Sequence, residues 1–473
     1  MYARNRYYFL LLNALLLTVP HNMISQIVYD NEKSMSDSTT TMYDSSYVVN
    51  TKPSAMTKDY LTPAIETIGN NVFVFYLNKY ALGNPSWTKI SFRTVKNNMD
   101  HGFVWDHDGF EMNALFHPYS GALSFTAARS CGLGFWNSIA YPFAGSLMWE
   151  IAMENELPSS NDLVSTTTSG IVLGEISYRV STLLLNDNAA GGERVWREIA
   201  AGILSPVHGL NRLLSGKSWS AGPIPQIQSY GISISAGMLG LFVDRNLYQK
   251  HPHGYLNFQL DYGNLFSISN SYEPFDYFQL TVGLGLSTNN TIINIAGSGM
   301  LWGKKIKILQ KGKSTFGIFK NYDFLNTATY RVGSSSVGYG LITKVQLSEQ
   351  YNVESTIIPS VILMGAINCE YAKPLGRDYN LGPGLDGKIK VAIEKHDLGK
   401  IYIVYDRSWI YVISGVRGDE VVGVWYAGTQ VQLSSSTTWA FEYMNYSHIG
   451  TYNEYPSLQK QNFALRTFIV ITM

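Results

Sequence analysis

The chain has 473 residues, with 35 basic against 35 acidic, and charged residues make up only 15% of it. That balance argues against a nucleic-acid partner, and the length admits either two domains or one large barrel. Aromatics reach 13%, with 32 Tyr, 10 Trp and 42 Gly, a composition that suits a transmembrane β-barrel with aromatic girdles. The two cysteines, Cys131 and Cys369, cannot build a disulfide framework and have no metal-type neighbours. They read as buried thiols, with a single inter-domain bridge as the minor alternative.

Arg4 and Arg6 precede an apolar run over 9–19 and a polar stretch ending near Ser25 and Gln26. A basic start, a short apolar core and a small residue near the cut predict a secretory signal peptide over 1–26. The run is too short to span a bilayer as a helix. Residues 27–59 are rich in Ser, Thr, Asp and Lys and read as a disordered tether.

A helical module is expected over 60–219. Thr62 and Pro63 look like an N-cap followed by Pro at the first helical position, so 60–82 reads as a helix. Residues 87–110 have mixed polarity and read as one or two short strands. Asp106 and Asp108 are two apart and would share a strand face. With His117 they offer oxygen and nitrogen ligands for a divalent cation, although DHDG is also good turn chemistry, and the turn is the favoured reading. Pro118 suits a helix start, and 141–156 is a further helix with Glu150 and Glu154 four apart on one face. Like charges at that spacing need a proton, a cation or an Arg between them, unless one points to water. In apolar surroundings such a carboxyl has a raised pKa.

The run from Pro158 through Asn161 and Asp162 signals another helix start. That helix reaches about Leu185, and Gly170 with Gly174 allow a second helix to approach closely. Glu175 with Arg179, Glu193 with Arg197, and Arg194 with Glu198 have ion-pair spacing. Pro206 breaks the next helix, and Asn211 and Arg212 close the module.

From 220 to 473 the period changes to two. Tyr230, Ile232, Ile234 and Ala236 alternate with Gly231, Ser233 and Ser235. Phe278, Leu280 and Val282 alternate with Gln279, Thr281 and Gly283, and the terminal stretch places Phe463, Leu465, Ile469 and Ile471 in phase. Roughly 12 such segments have bilayer-crossing length. The fold class is therefore mainly β with an α-helical N-terminal module, the β part being an antiparallel transmembrane barrel. Large apolar side chains should face lipid. The module should plug the lumen or cap the barrel from the periplasmic side.

The stretches WDHDGFEMNALFHPYSG, PSSNDL, GEISYR, GERVWRE and PVHGLNRL, with weaker GIFKNYDFLNT and RDYNLGPGL, cover about 105–385. As a set they resemble a Gram-negative family of exported proteins, known only as a domain of unknown function, number 3943. The resemblance implies an outer-membrane location and supplies no reaction.

Two functional readings follow. One is a non-enzymatic outer-membrane barrel in contact with outer-membrane lipid, with a binding, channel or envelope-structural role. The other is an envelope lipid or glycan hydrolase at the barrel mouth, with His117 as base toward Ser120 and Glu150 or Glu154 orienting it. No GxSxG elbow, HExxH helix or phosphate loop accompanies that arrangement, which weighs against catalysis. No resident cofactor is expected.

Overall fold

The computed structural model describes residues 58–473 except 106, 223–227, 244–245, 248–251, 268–271, 287–291 and 310. The signal peptide, most of the tether and Asp106 lie outside the described residues.

Among the described residues, seven helices of nine residues or more build the module: α1 (Leu61–Tyr76), α2 (Phe92–His101), α3 (His117–Ser130), α4 (Ala140–Met148), α5 (Ser160–Leu184), α6 (Gly191–Leu204) and α7 (Pro206–Leu214). The α1 start differs from expectation. Asp59, not Thr62, accepts the free amides of Leu61 and Thr62. The strands expected over 87–110 are mainly helix α2. Ser91 and Thr94 form a reciprocal capping box there, which satisfies orphan amides and commits the segment to a helix. Only an isolated parallel bridge, Val104 to Ser159, remains of the β reading. Both cysteines are free thiols, Cys369 buried and Cys131 partly so.

Helices α3 and α5 pack closely because glycine lines their seam. A Cβ on Gly121 would lie 1.9 Å from the Thr166 carbonyl oxygen, and one on Gly170 would lie 2.7 Å from the Gly121 backbone. Pro206 separates α6 from α7, as the sequence indicated.

Twelve antiparallel strands then close into a barrel: β1 (Tyr230–Val243), β2 (His253–Tyr262), β3 (Phe278–Leu286), β4 (Ile292–Ile306), β5 (Gly312–Asn326), β6 (Arg331–Gln346), β7 (Tyr351–Asn368), β8 (Tyr379–Lys395), β9 (Gly399–Tyr411), β10 (Gly418–Gln432), β11 (Thr437–Tyr452) and β12 (Leu458–Thr472). A two-residue strand, Asn246–Leu247, folds back on the end of β1. Each strand pairs with its sequence neighbour, and β1 pairs with β12 from Ser233↔Thr472 to Phe242↔Phe463. Closure removes the sheet edges. The even count puts the start of β1 and the end of β12 on one rim, here the near rim.

Side-chain alternation settles what lies inside. Ser334, Asp323, Asp386 and Asp406 point into the lumen, around a cavity of about 530 Å³. The opposite positions carry the exposed residues Tyr339, Leu385, Ile403 and Trp409. The module packs on that outer face. Gly333 shares the face of Tyr339, and a Cβ there would lie 2.5 Å from Ala114 Cβ. Tyr322, Phe324, Tyr379 and Leu381 share one apolar core with Phe110, Phe125, Val172 and Ile176. The expectation of a module plugging the lumen is thus corrected. An apolar helix face needs an apolar partner, and the outer wall is mainly apolar while the lumen wall is rich in charge. Helix α5 crosses β4 to β7. The shared core runs from Tyr262 and Phe278 at the near rim to Tyr379 at the far rim.

Residues of the barrel itself enter the lumen near both rims. The β2–β3 connection turns inward near the near rim, where Thr315 donates to the Leu265 carbonyl at 2.7 Å. Leu265 and Tyr277 pack there on Met300, Phe319 and Ile358. At the far rim, Glu420 accepts from Asn380, Tyr452 and His448, each at 2.8 Å.

Candidate functional site: a buried acid–histidine cluster beside the far rim

His117 begins α3, Asp162 lies in the first turn of α5, and Asp108 lies in the loop before both. His117 Nε2 is 3.4 Å from Asp162 Oδ1 and 3.6 Å from Asp108 Oδ2. Asp162 is only 3% exposed. Its backbone amide is capped by Ser159 Oγ at 3.1 Å, and its Oδ1 accepts from Asn161 at 3.1 Å. Asn161 also donates to Asn113, which donates to the Tyr379 hydroxyl of the barrel wall.

Glu150 and Glu154 complete the cluster, although not on a regular helix. After α4 the chain makes a wide π-helical turn, Trp149–Met153, and Glu154 is extended at φ −141° and ψ 160°. The widened turn brings the two carboxyls into a mutual hydrogen bond, so Glu154 holds a proton well above the usual carboxylate range. Burial is the main cause, followed by the charges of Glu150, Asp162 and Asp108. Glu150 accepts the Ser159 amide at 2.8 Å. Asn98 donates to the carbonyls of Glu150, Ile151 and Glu154 and pins this turn to α2. Burial alone would push the His117 imidazole down. The charges of Asp162, Asp108 and Glu150 outweigh it and push His117 up to about 10.

The cluster is anchored to the barrel at the far rim. Glu111 pairs with Arg331 at 2.7 Å, and Arg331 also holds Asp378. Arg377 lies 2.9 Å from His107 Nδ1. The Tyr322 hydroxyl donates to the Ala114 carbonyl at 2.7 Å. The stretches that carry the resemblance in the two halves of the chain therefore meet at this seam.

The remaining polar residues singled out in the sequence separate into other networks. Glu175 is fully buried between Arg179 and Arg129, each at 2.7 Å, and Arg179 reaches Asp276 at 3.1 Å. Arg197 takes Glu193 at 2.8 Å. The expected Arg194–Glu198 pair is replaced. Glu198 instead holds Arg212 at 2.7 Å, Arg212 also holds Asp187, and Arg194 spends its donors on the carbonyls of Asp187, Lys217, Ser218 and Ser220. These carbonyls belong to loops flanking α6 and α7, which a helical-spacing argument cannot see. Asn211 bridges Glu66 and Ser130. Ser120 is half-buried, and among the described residues no hydrogen bond joins it to His117. The Ser–His–Glu relay is therefore not assembled.

Sequence reasoning missed Asn98, Asn113, Arg129, Asp187 and Asp276. Arg129, a lone cation in an apolar helix, was the one visible signal. It also missed the lumenal pairs Lys388–Asp323, at 2.6 Å, and Arg466–Glu442, because charge pairing across a lumen depends on register.

Among curated proteins none matches this chain. Three solved structures are similar to it at low identity. The NanC porin is 10% identical, with a TM-score of 0.27, 51% of this chain covered and 99% of that one. An outer membrane channel from Pseudomonas putida F1 is 7% identical, with a TM-score of 0.28, 53% and 97% covered. The CymD monoaromatic hydrocarbon channel is 10% identical, with a TM-score of 0.23, 52% and 88% covered. At such values the likeness bears on neither activity nor solute. Residues 102–207, which hold the whole acid–histidine cluster, match the family described as a domain of unknown function, DUF3943, the family that the motifs resemble.

Proposed function

We propose that this protein is an outer-membrane β-barrel of a Gram-negative envelope that holds a small polar solute in a stoppered lumenal chamber. The observation that carries this reading is the outward belt of β9 to β12. Ile401, Ile403, Tyr405, Trp409, Trp425, Trp439, Phe441, Ile469 and Ile471 are all exposed there. A water-facing surface does not carry so large a contiguous apolar patch, whereas acyl chains match it. The exposed faces of α1, with Leu61, Ile65 and Phe73, and of α6 and α7, with Trp196, Ile199 and Leu213, extend the same apolar surface around the module.

The chamber supports a binding or gated role over an open pore. Asp323, Asp386, Asp406, Lys390, Lys400 and Arg466 line it, and Leu265 and Tyr277 of the β2–β3 connection pack inside the barrel near one rim. Charges of both signs suit a small polar or zwitterionic solute.

Purification and planar-bilayer recording test this reading. The expected protein needs detergent to stay monodisperse, migrates differently in gels before and after boiling, and gives a closed or very small conductance. Replacing Leu265 and Tyr277 by Ala should raise that conductance. A product that remains monodisperse in plain buffer overturns the proposal.

A further inference from the structure

We infer that Asp108, His117 and Asp162 form a binding site for one divalent first-row transition cation. The ligand atoms are Asp108 Oδ2, His117 Nε2 and Asp162 Oδ1, and all three lie within 4.8 Å of one another.

The distances discriminate between a metal site and an ordinary ion pair. An imidazole hydrogen-bonded to a carboxylate sits at ordinary hydrogen-bond range, as His448 Nε2 does at 2.8 Å from Glu420 Oε2. His117 Nε2 is 3.4 Å and 3.6 Å from its two carboxylates, beyond that range. The atom is also buried and makes no hydrogen bond of ordinary length. The same separations fit the edges of a coordination shell. Ligands about 2.1 Å from a tetrahedral ion are about 3.4 Å apart.

The donor set indicates the class of ion. One imidazole with two carboxylates suits zinc, manganese or iron(II) better than calcium or magnesium, which prefer oxygen alone. Glu150 adds a further carboxylate beside the three ligands, so a dication offsets charge that one imidazole does not. The ligands also come from three places: the loop behind the rim seam, the start of α3 and the start of α5. A bound ion would clamp the two helix starts to the loop that Glu111 and Arg331 tie to the barrel.

The experiment uses the full-length protein in detergent, stripped with chelator and dialysed, then titrated separately with Zn²⁺ and Mn²⁺. Bound metal is counted by mass spectrometry, and thermal unfolding is followed in parallel. One ion per chain is expected, with a rise in unfolding temperature on loading. Asp108→Asn is the informative variant, because Asp108 is only half-buried and its loss leaves the helix starts intact. It should weaken binding at least about tenfold, and His117→Gln should abolish the thermal shift. His396→Ala, which alters an exposed His beside Asp397, should change neither. The inference fails if the wild type binds neither ion, or if Asp108→Asn and His117→Gln bind as tightly as the wild type. A bound ion lost only in His396→Ala would likewise overturn it. None of these outcomes depends on whether the lumen holds a solute.

Discussion

The outer wall of the barrel has two sectors that obey the same alternation and meet different partners. Across β9 to β12 the outward residues are Ile, Trp, Tyr and Phe, and they are exposed. Across β2 to β8 a diagonal band of outward residues is buried beneath helices. It combines aromatics such as Phe324 and Tyr379 with recesses at Gly297 and Gly333. In the proposed membrane setting the bare sector needs only to be apolar, since acyl chains conform to any shape. The covered sector needs shape, because a folded helix does not conform. Outward apolarity therefore identifies a wall that is out of water without saying what stands against it.

Four substitutions sharpen the comparison. The largest effect is expected at Glu175, which is 0% exposed and holds Arg129 and Arg179 at the end of the covered band. Glu175→Ala leaves Arg129 without its carboxylate and Arg179 with Asp276 alone, and should cost about 3–5 kcal/mol. Trypsin should then cut the module while the gel shift on boiling, which reports the barrel, persists. Loss of both together would mean that the two parts fold as one unit.

A smaller loss is expected from Gly333→Leu, because its side chain would collide with Ala114. Overpacking of this kind costs about 1–3 kcal/mol. Its counterpart in the bare sector, Ile403→Ala, should stay within about 0.5 kcal/mol in detergent. Equal effects at the two sites would erase the distinction between the sectors.

The smallest effect concerns Glu66 on α1. Burial, partly offset by the Asn211 hydrogen bond, pushes its carboxyl up from 4.5 to about 7. The fold prefers the neutral acid, so this contribution is fully present below the ordinary value and is lost as pH rises through about 7. Glu66→Gln should remove that dependence. Thermal unfolding of the two proteins should diverge between pH 4.5 and 7, with the wild type losing ground as pH rises. Parallel curves would mean that Glu66 is solvated.

The barrel was legible because its signal is local. Period-two alternation needs no knowledge of partners, and Ser159 and Pro206 mark helix boundaries by backbone chemistry alone. The close approach at Gly170 was legible for the same reason. The placement of the module was not, because Tyr322 and Phe324 read identically whether a lipid tail or Phe110 lies against them. The acid–histidine cluster was half visible. His117 and Asp108 are close in sequence, but Asp162 reaches them only through the crossing of α3 and α5. Glu150 and Glu154 had the right spacing, and a wide turn, not a helix face, brings them together. Regular periodicity cannot anticipate a π turn.

The connection between β2 and β3 belongs to both sides of the wall. Leu265 stands inside the chamber, while Phe275 stacks outside on Phe135 and Asp276 receives Arg179 from α5. One short stretch of backbone thus serves as a doorstop within and a bracket without. A shift of α5 along the barrel would load Asp276 first, and its neighbour Tyr277, packed with Leu265 inside the barrel, is the next residue to feel the strain.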